Sequence, residues 1–152
     1  MSELKRYIGT KVISAYREIR FTKGGSNDKA TPGYHVLYED GYESWSPAHV
    51  FEKAYKPTDQ MTFGLALEAL KMGYAVARSG WNGKYMWLRI RDPHPESDMT
   101  LPYIYMVYPL YHPAYPNGAK VPWLASQTDI LNEDWTVVDD LQIANELASK
   151  RG

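Results

Sequence analysis

Two short segments of the chain concentrate side chains able to hold a nucleotide. Residues 78–84 read Arg78, Ser79, Gly80, Trp81, Asn82, Gly83, Lys84, which supplies a ring to stack on a base, an amide to read its edge and two cations to meet phosphates. The same residues also make a plain hairpin connection, because Asn82 and Gly83 form a turn pair and Trp81 can cap a core. The second segment, residues 121–129, reads Val121, Pro122, Trp123, Leu124, Ala125, Ser126, Gln127, Thr128, Asp129. Ser126 with Asp129 three positions on is a variant of the capping box, which explains the pair as the start of a helix and nothing more. A helix start carrying Ser126, Gln127 and Thr128 beside Trp123 is equally an anion and ribose site, since its first backbone N–H groups point outward. Both readings stay open for each segment.

Nothing comparable points to catalysis. His35, His49, His94 and His112 are scattered without metal-ligand spacing, and residues 92–98, rich in acids and prolines, read as a solvated turn. The chain has no cysteine, so thiolate nucleophiles, cysteine zinc sites and disulfides are excluded. Phosphate-gripping, dinucleotide-binding and nucleophile-elbow motifs are missing too. We therefore expect no catalytic residue, no metal and no cofactor.

Composition bounds the remaining classes. With 152 residues the chain can bury a core, and a net charge of −1 lacks the cation excess of a duplex-DNA binder. No apolar run is long enough to span a membrane, and the N-terminus has no apolar core behind its first cations, so a cytoplasmic protein is expected. Thirteen tyrosines and five tryptophans stand against three phenylalanines. Rings with a polar handle suit wet pockets and interfaces.

The elements that must position the two segments can be read from period and punctuation. A polar, proline-containing stretch at residues 56–60 divides the chain into 1–57 and 58–152. In the first part, residues 11–16 have strand composition and residues 23–33 read as a loop. Residues 34–38 and 42–45 flank Asp40-Gly41 as a hairpin, and a short helix follows with Ser46 as N-cap and Pro47 at its first position. In the second part, Thr62 caps a helix stopped by Gly73, and strands follow at 74–78, 86–91 and 103–108. A helix at 126–132, a strand at 135–138 and a final helix from about residue 140 complete it. On the strand at 86–91, Met86, Leu88 and Ile90 share one face. The fold class is α+β: a small antiparallel sheet packed with helices, preceded by a β-hairpin and helix module.

Residues 61–87 (MTFGLALEALKMGYAVARSGWNGKYMW) and 121–138 (VPWLASQTDILNEDWTVV) together resemble the phage family of Thoeris anti-defence protein 2. The resemblance implies a homotetrameric sponge that sequesters, without cleaving, the cyclic ADP-ribose isomers made by TIR-domain defence enzymes. In some members cyclic dinucleotides are captured in a separate pocket. Carried onto this chain, it places ligand contacts at Arg78, Trp81, Asn82, Gly83, Lys84, Trp123, Ser126, Gln127 and Asp129. We assign Trp81 and Trp123 to stacking, Asn82, Ser126 and Gln127 to base or ribose, and Arg78 and Lys84 to phosphate. The first 57 residues and the Tyr/Pro-rich stretch 109–120 depart from the compact family pattern; the latter reads as a cover or interface. A hydrolase of the same signals and a protein that blocks a host defence enzyme are the competing functions.

Overall fold

A computed structural model describes residues 2–23, 29–82 and 85–138. The chain divides into two compact units between Lys56 and Pro57, described separately below. Among the described residues no helix is long and apolar enough to cross a membrane.

The first unit is a three-stranded antiparallel sheet, β1 (Ser14–Thr22), β2 (Lys29–Leu37) and β3 (Glu43–Pro47), followed by helix α1 (Ala48–Ala54). The hairpin forms where Asp40-Gly41 predicts it: Gly41 takes φ +87°, and the Tyr38 N–H reaches the Tyr42 carbonyl at 2.9 Å. Three expectations change. Strand β1 spans Ser14–Thr22 rather than residues 11–16, its extent set by pairing with β2. Residues 29–33, read as loop, are strand, because β2 pairs with β1 along its whole length from Ser14 opposite Leu37 to Thr22 opposite Lys29. Non-local pairing overrides the turn-forming composition there. Pro47 ends β3 and serves as N-cap without a side-chain bond, so the helix starts one residue later than the Ser46 cap implies.

Packing in this unit turns on Gly33. The Trp45 indole lies across it and donates from Nε1 to the Glu18 carbonyl at 3.0 Å, while the Arg20 guanidinium sits 5.1 Å from the ring centroid. On the opposite face Tyr34 stacks on Phe51 at 4.1 Å, and Phe51 on Tyr55 at 5.0 Å, so that α1 closes over buried Val36.

The second unit is a five-stranded antiparallel sheet in the order β7-β6-β5-β4-β8: β4 (Ala75–Arg78), β5 (Trp87–Arg91), β6 (Tyr103–Val107), β7 (Lys120–Pro122) and β8 (Trp135–Val138). Helices α2 (Phe63–Lys71) and α3 (Gln127–Leu131) complete it. Thr62 caps α2 by accepting the Leu65 N–H, and Gly73 ends it at φ +95°. Strand alternation is as the sequence implies: Leu88 is fully buried with Val76, Met106, Leu70 and Trp135, and Met86 and Ile90 pack beside it. Trp87, on the other face, is buried as well, in a second cluster with Ala75, Ala77 and Val107. Strand β7 is an addition to the elements expected. The final helix expected from residue 140 lies outside the described residues. The Tyr/Pro stretch folds on itself, with the rings of Tyr108, His112 and Tyr115 clustered within 5.3 Å.

Substituting Gly33→Ala forces a Cβ into the Trp45 ring and the Ser46 carbonyl. We expect a loss of about 2 kcal/mol in the first unit, of the size caused by overpacking. Urea unfolding followed at the Trp45 indole N–H resonance in the Gly33→Ala chain checks it, and an unchanged midpoint contradicts it.

Candidate functional site

The two segments come together although 36 residues lie between them. What joins them is the carboxylate of Asp129. Its Oδ1 accepts from Arg78 Nη1 at 2.8 Å and from Trp81 Nε1 at 3.0 Å, so one oxygen ties the first and middle residues of the first segment to the second. Its Oδ2 accepts from the Ser126 N–H at 3.0 Å and the Ser126 hydroxyl at 2.8 Å, while Ser126 Oγ in turn accepts the Asp129 N–H. The capping box is therefore present, and it is also a link in a larger network. The Asp129 carbonyl receives the indole N–H of fully buried Trp135 at 2.8 Å.

Arg78 is held from two sides. Besides Asp129, Asp134 grips the guanidinium through Nε–Oδ1 at 2.9 Å and Nη2–Oδ2 at 3.3 Å. Asp134 Oδ2 also accepts the Gly80 N–H at 2.8 Å, an approach that the missing Cβ of Gly80 permits. With 8% of its side chain exposed, Arg78 spends its donors on the protein's own carboxylates. Charge follows geometry. Bonding to Asp134, outweighing burial, raises the Arg78 pKa further. At Asp129 burial acts to raise the pKa, but the bonds from Trp81, Ser126 and Arg78 win and hold it at about 2. Asp134 is lowered chiefly by its bond to Arg78.

The rings form the floor. Trp81 meets Trp135 edge-on at 5.5 Å and Trp123 at 6.5 Å, and Trp123 meets Trp135 at 6.0 Å and Phe63 at 6.1 Å. Trp81 and Trp123 are only partly buried, whereas Asn82, Ser126, Gln127 and Thr128 are exposed around them. Gly83 and Lys84 lie outside the described residues. Helix α3 has five residues, and its first cap is filled by the Ser126–Asp129 exchange, so it offers no helix-end anion site.

Sequence reasoning missed Asp134 and Trp135. Neither has a local signature: the partners of Asp134 lie 54 to 56 positions away. Among the described residues no buried side-chain nitrogen or oxygen lacks a partner.

Fold and site thus define a small antiparallel α+β domain in which two loop motifs are locked together through one buried carboxylate, with a tryptophan floor and a polar rim. A family model described as Thoeris anti-defense 2-like domain matches residues 61–138, within the second unit. A relative from Bacillus phage SP01, Thoeris anti-defense 2, is 38% identical over 88 residues, an alignment that covers 96% of that protein and 52% of this chain. The chain belongs to the Thoeris anti-defense 2-like family.

Because the Asp129 pKa falls from 3.8 to about 2 on folding, its contribution is complete above about pH 4 and lost as pH drops toward 2, amounting to about 2 kcal/mol. Asp129→Asn should flatten the stability–pH slope in that window, as measured by urea midpoints between pH 5 and 2. Asp129→Ala at neutral pH removes the acceptor of four donors and should cost roughly 3 kcal/mol, well beyond the ~1 kcal/mol of a lost cap; a loss near 1 kcal/mol reduces Asp129 to a capping residue.

Proposed function

We propose that this chain is a phage anti-defence protein of the bacterial cytoplasm, binding and sequestering cyclic nucleotide immune signals without cleaving them, with cyclic ADP-ribose isomers the first candidates and cyclic dinucleotides the second. The name of the phage SP01 relative supports the anti-Thoeris role. The observation that carries the binding reading is the Asp129 bridge, which makes one prearranged site out of two distant motifs. A preformed site loses little freedom when its ligand enters, which favours tight capture.

Within this reading the partly exposed rings of Trp81 and Trp123 stack on the base, and exposed Asn82 and Gln127 bond base or ribose. Arg78 takes a supporting part, because a cation between two carboxylates carries no net positive charge to offer a phosphate. Phosphate recognition then falls to Lys84, on the strength of the motif alone. Ser126 and Asp129 hold the rim in place. The absence of cleavage is argued from the same chemistry: both site carboxylates are held below the usual carboxylate range by their donors, so neither is a general acid at neutral pH.

The reading includes a homo-oligomer, most simply a tetramer. Leu124, ahead of α3, and Leu131, its last residue, are 91% and 74% exposed, and apolar side chains so placed are suited to protomer contact.

Stoichiometric capture of a scarce signal needs a dissociation constant on the order of nanomolar, about −12 kcal/mol. The experiment saturates the protein with a cyclic ADP-ribose isomer, washes, denatures by heat and analyses the supernatant by chromatography and mass. Unchanged ligand in near-equimolar amount supports sequestration. A linear product accumulating beyond one equivalent favours a hydrolase, and no ligand at all favours direct inhibition of a defence enzyme. Trp123→Ala should weaken binding by about 1 to 3 kcal/mol while the fold survives; titration calorimetry with unchanged affinity removes Trp123 from the site.

A further inference from the structure

We infer that the first unit pairs with a second copy of itself through the open edge of β1, the two strands meeting antiparallel about a two-fold axis at Ile19. The inference does not rest on the ligand reading above. It starts from the phase of the ladder. In antiparallel sheets opposed residues alternate between pairs that exchange two hydrogen bonds and pairs that exchange none. Pro32 stands opposite Ile19, and Pro47 opposite Gly33; neither proline has an N–H to give. Both fall outside the bonded pairs in one phase only. There Ser14, Tyr16 and Glu18 bond inward to β2, while Ala15, Arg17, Ile19 and Phe21 turn N–H and C=O to the open edge. The Trp45 indole reaching the Glu18 carbonyl from across Gly33 agrees with this phase.

The edge is nine residues long, and its apolar side chains are uncovered. Helix α1 packs on β2 and β3, leaving Ile19 57% and Phe21 75% exposed on the helix-side face. Long exposed edges are usually kept single by charge. Here the charges select a self-pairing instead. A two-fold at Ile19 sets Ile19 against its own copy, Glu18 against Arg20 of the other chain on one face, and Arg17 against Phe21 of the other chain on the opposite face. Each of these is a favourable cross-strand pair, opposite charges or cation over ring, and each occurs twice. The product is a continuous six-stranded sheet with Ile19 and Phe21 of both chains forming a stripe between the two α1 helices.

The absence of cysteine from the chain gives a clean test in the full-length protein. At the axis the two Cα atoms stand about 5.5 Å apart, within disulfide range. Residues two positions away stand about 14 Å from their own copies. Under mild oxidation at micromolar concentration, Ile19→Cys should give at least tenfold more covalent dimer than Arg17→Cys or Phe21→Cys alone. A mixture of the Arg17→Cys and Phe21→Cys chains should cross-link to each other, because the register opposes them. All three sites are exposed, and circular dichroism checks that each variant stays folded. Equal cross-linking at the three positions, or none at position 19, overturns the inference. Failure of ligand retention leaves it untouched.

Discussion

The second unit depends on a single ion-pair arrangement, Arg78 clamped between Asp129 and Asp134. The guanidinium is nearly buried, and burial of a charge costs several kcal/mol unless partners replace its water. Two carboxylates within hydrogen-bond distance do so, and they also accept from Trp81, Ser126 and Gly80. Such a network adds little stability relative to an apolar core of equal volume, but removing one member leaves the rest exposed to the full desolvation penalty. What it gives is position. Strand β4, the turn after it, the start of α3 and the lead-in to β8 are fixed to each other within hydrogen-bond tolerance.

That arrangement decides what the site can do. With one cation between two anions, the cluster carries a net negative charge and repels an anion placed on it. The three indoles serve different ends. Trp135 is sealed and donates to the Asp129 carbonyl, Trp81 has one edge in the network, and Trp123 leans on Phe63 and stays partly exposed.

The sheet of the second unit is buried on both faces by different means. Large residues and α2 fill one face, and Ala75 and Ala77 with Trp87 fill the other. The first unit solves a similar problem with fewer residues. A glycine in β2 makes room for Trp45 to lie flat, so one indole covers what would otherwise need a second helix. This economy leaves β1 bare on one side.

The sequence by itself determined the local elements: the Asp40-Gly41 hairpin, the Thr62 cap and Gly73 stop of α2, the alternation of Met86, Leu88 and Ile90, the Ser126–Asp129 capping box and the strand at 135–138. The turn, caps and stop are set by interactions within a few residues, and the strands show themselves by residue type and alternation although their ladder partners are distant. The two motifs and their family likeness were legible for the same reason. Only the tertiary structure decided that Asp129 is the joint between them, that Asp134 and Trp135 belong to the site, that Arg78 faces inward, that residues 29–33 are strand and that residues 120–122 add a strand to the sheet. All of these rest on pairings between distant residues. A carboxylate's partner across such a distance is chosen by the folded geometry, and no spacing rule along the chain encodes it.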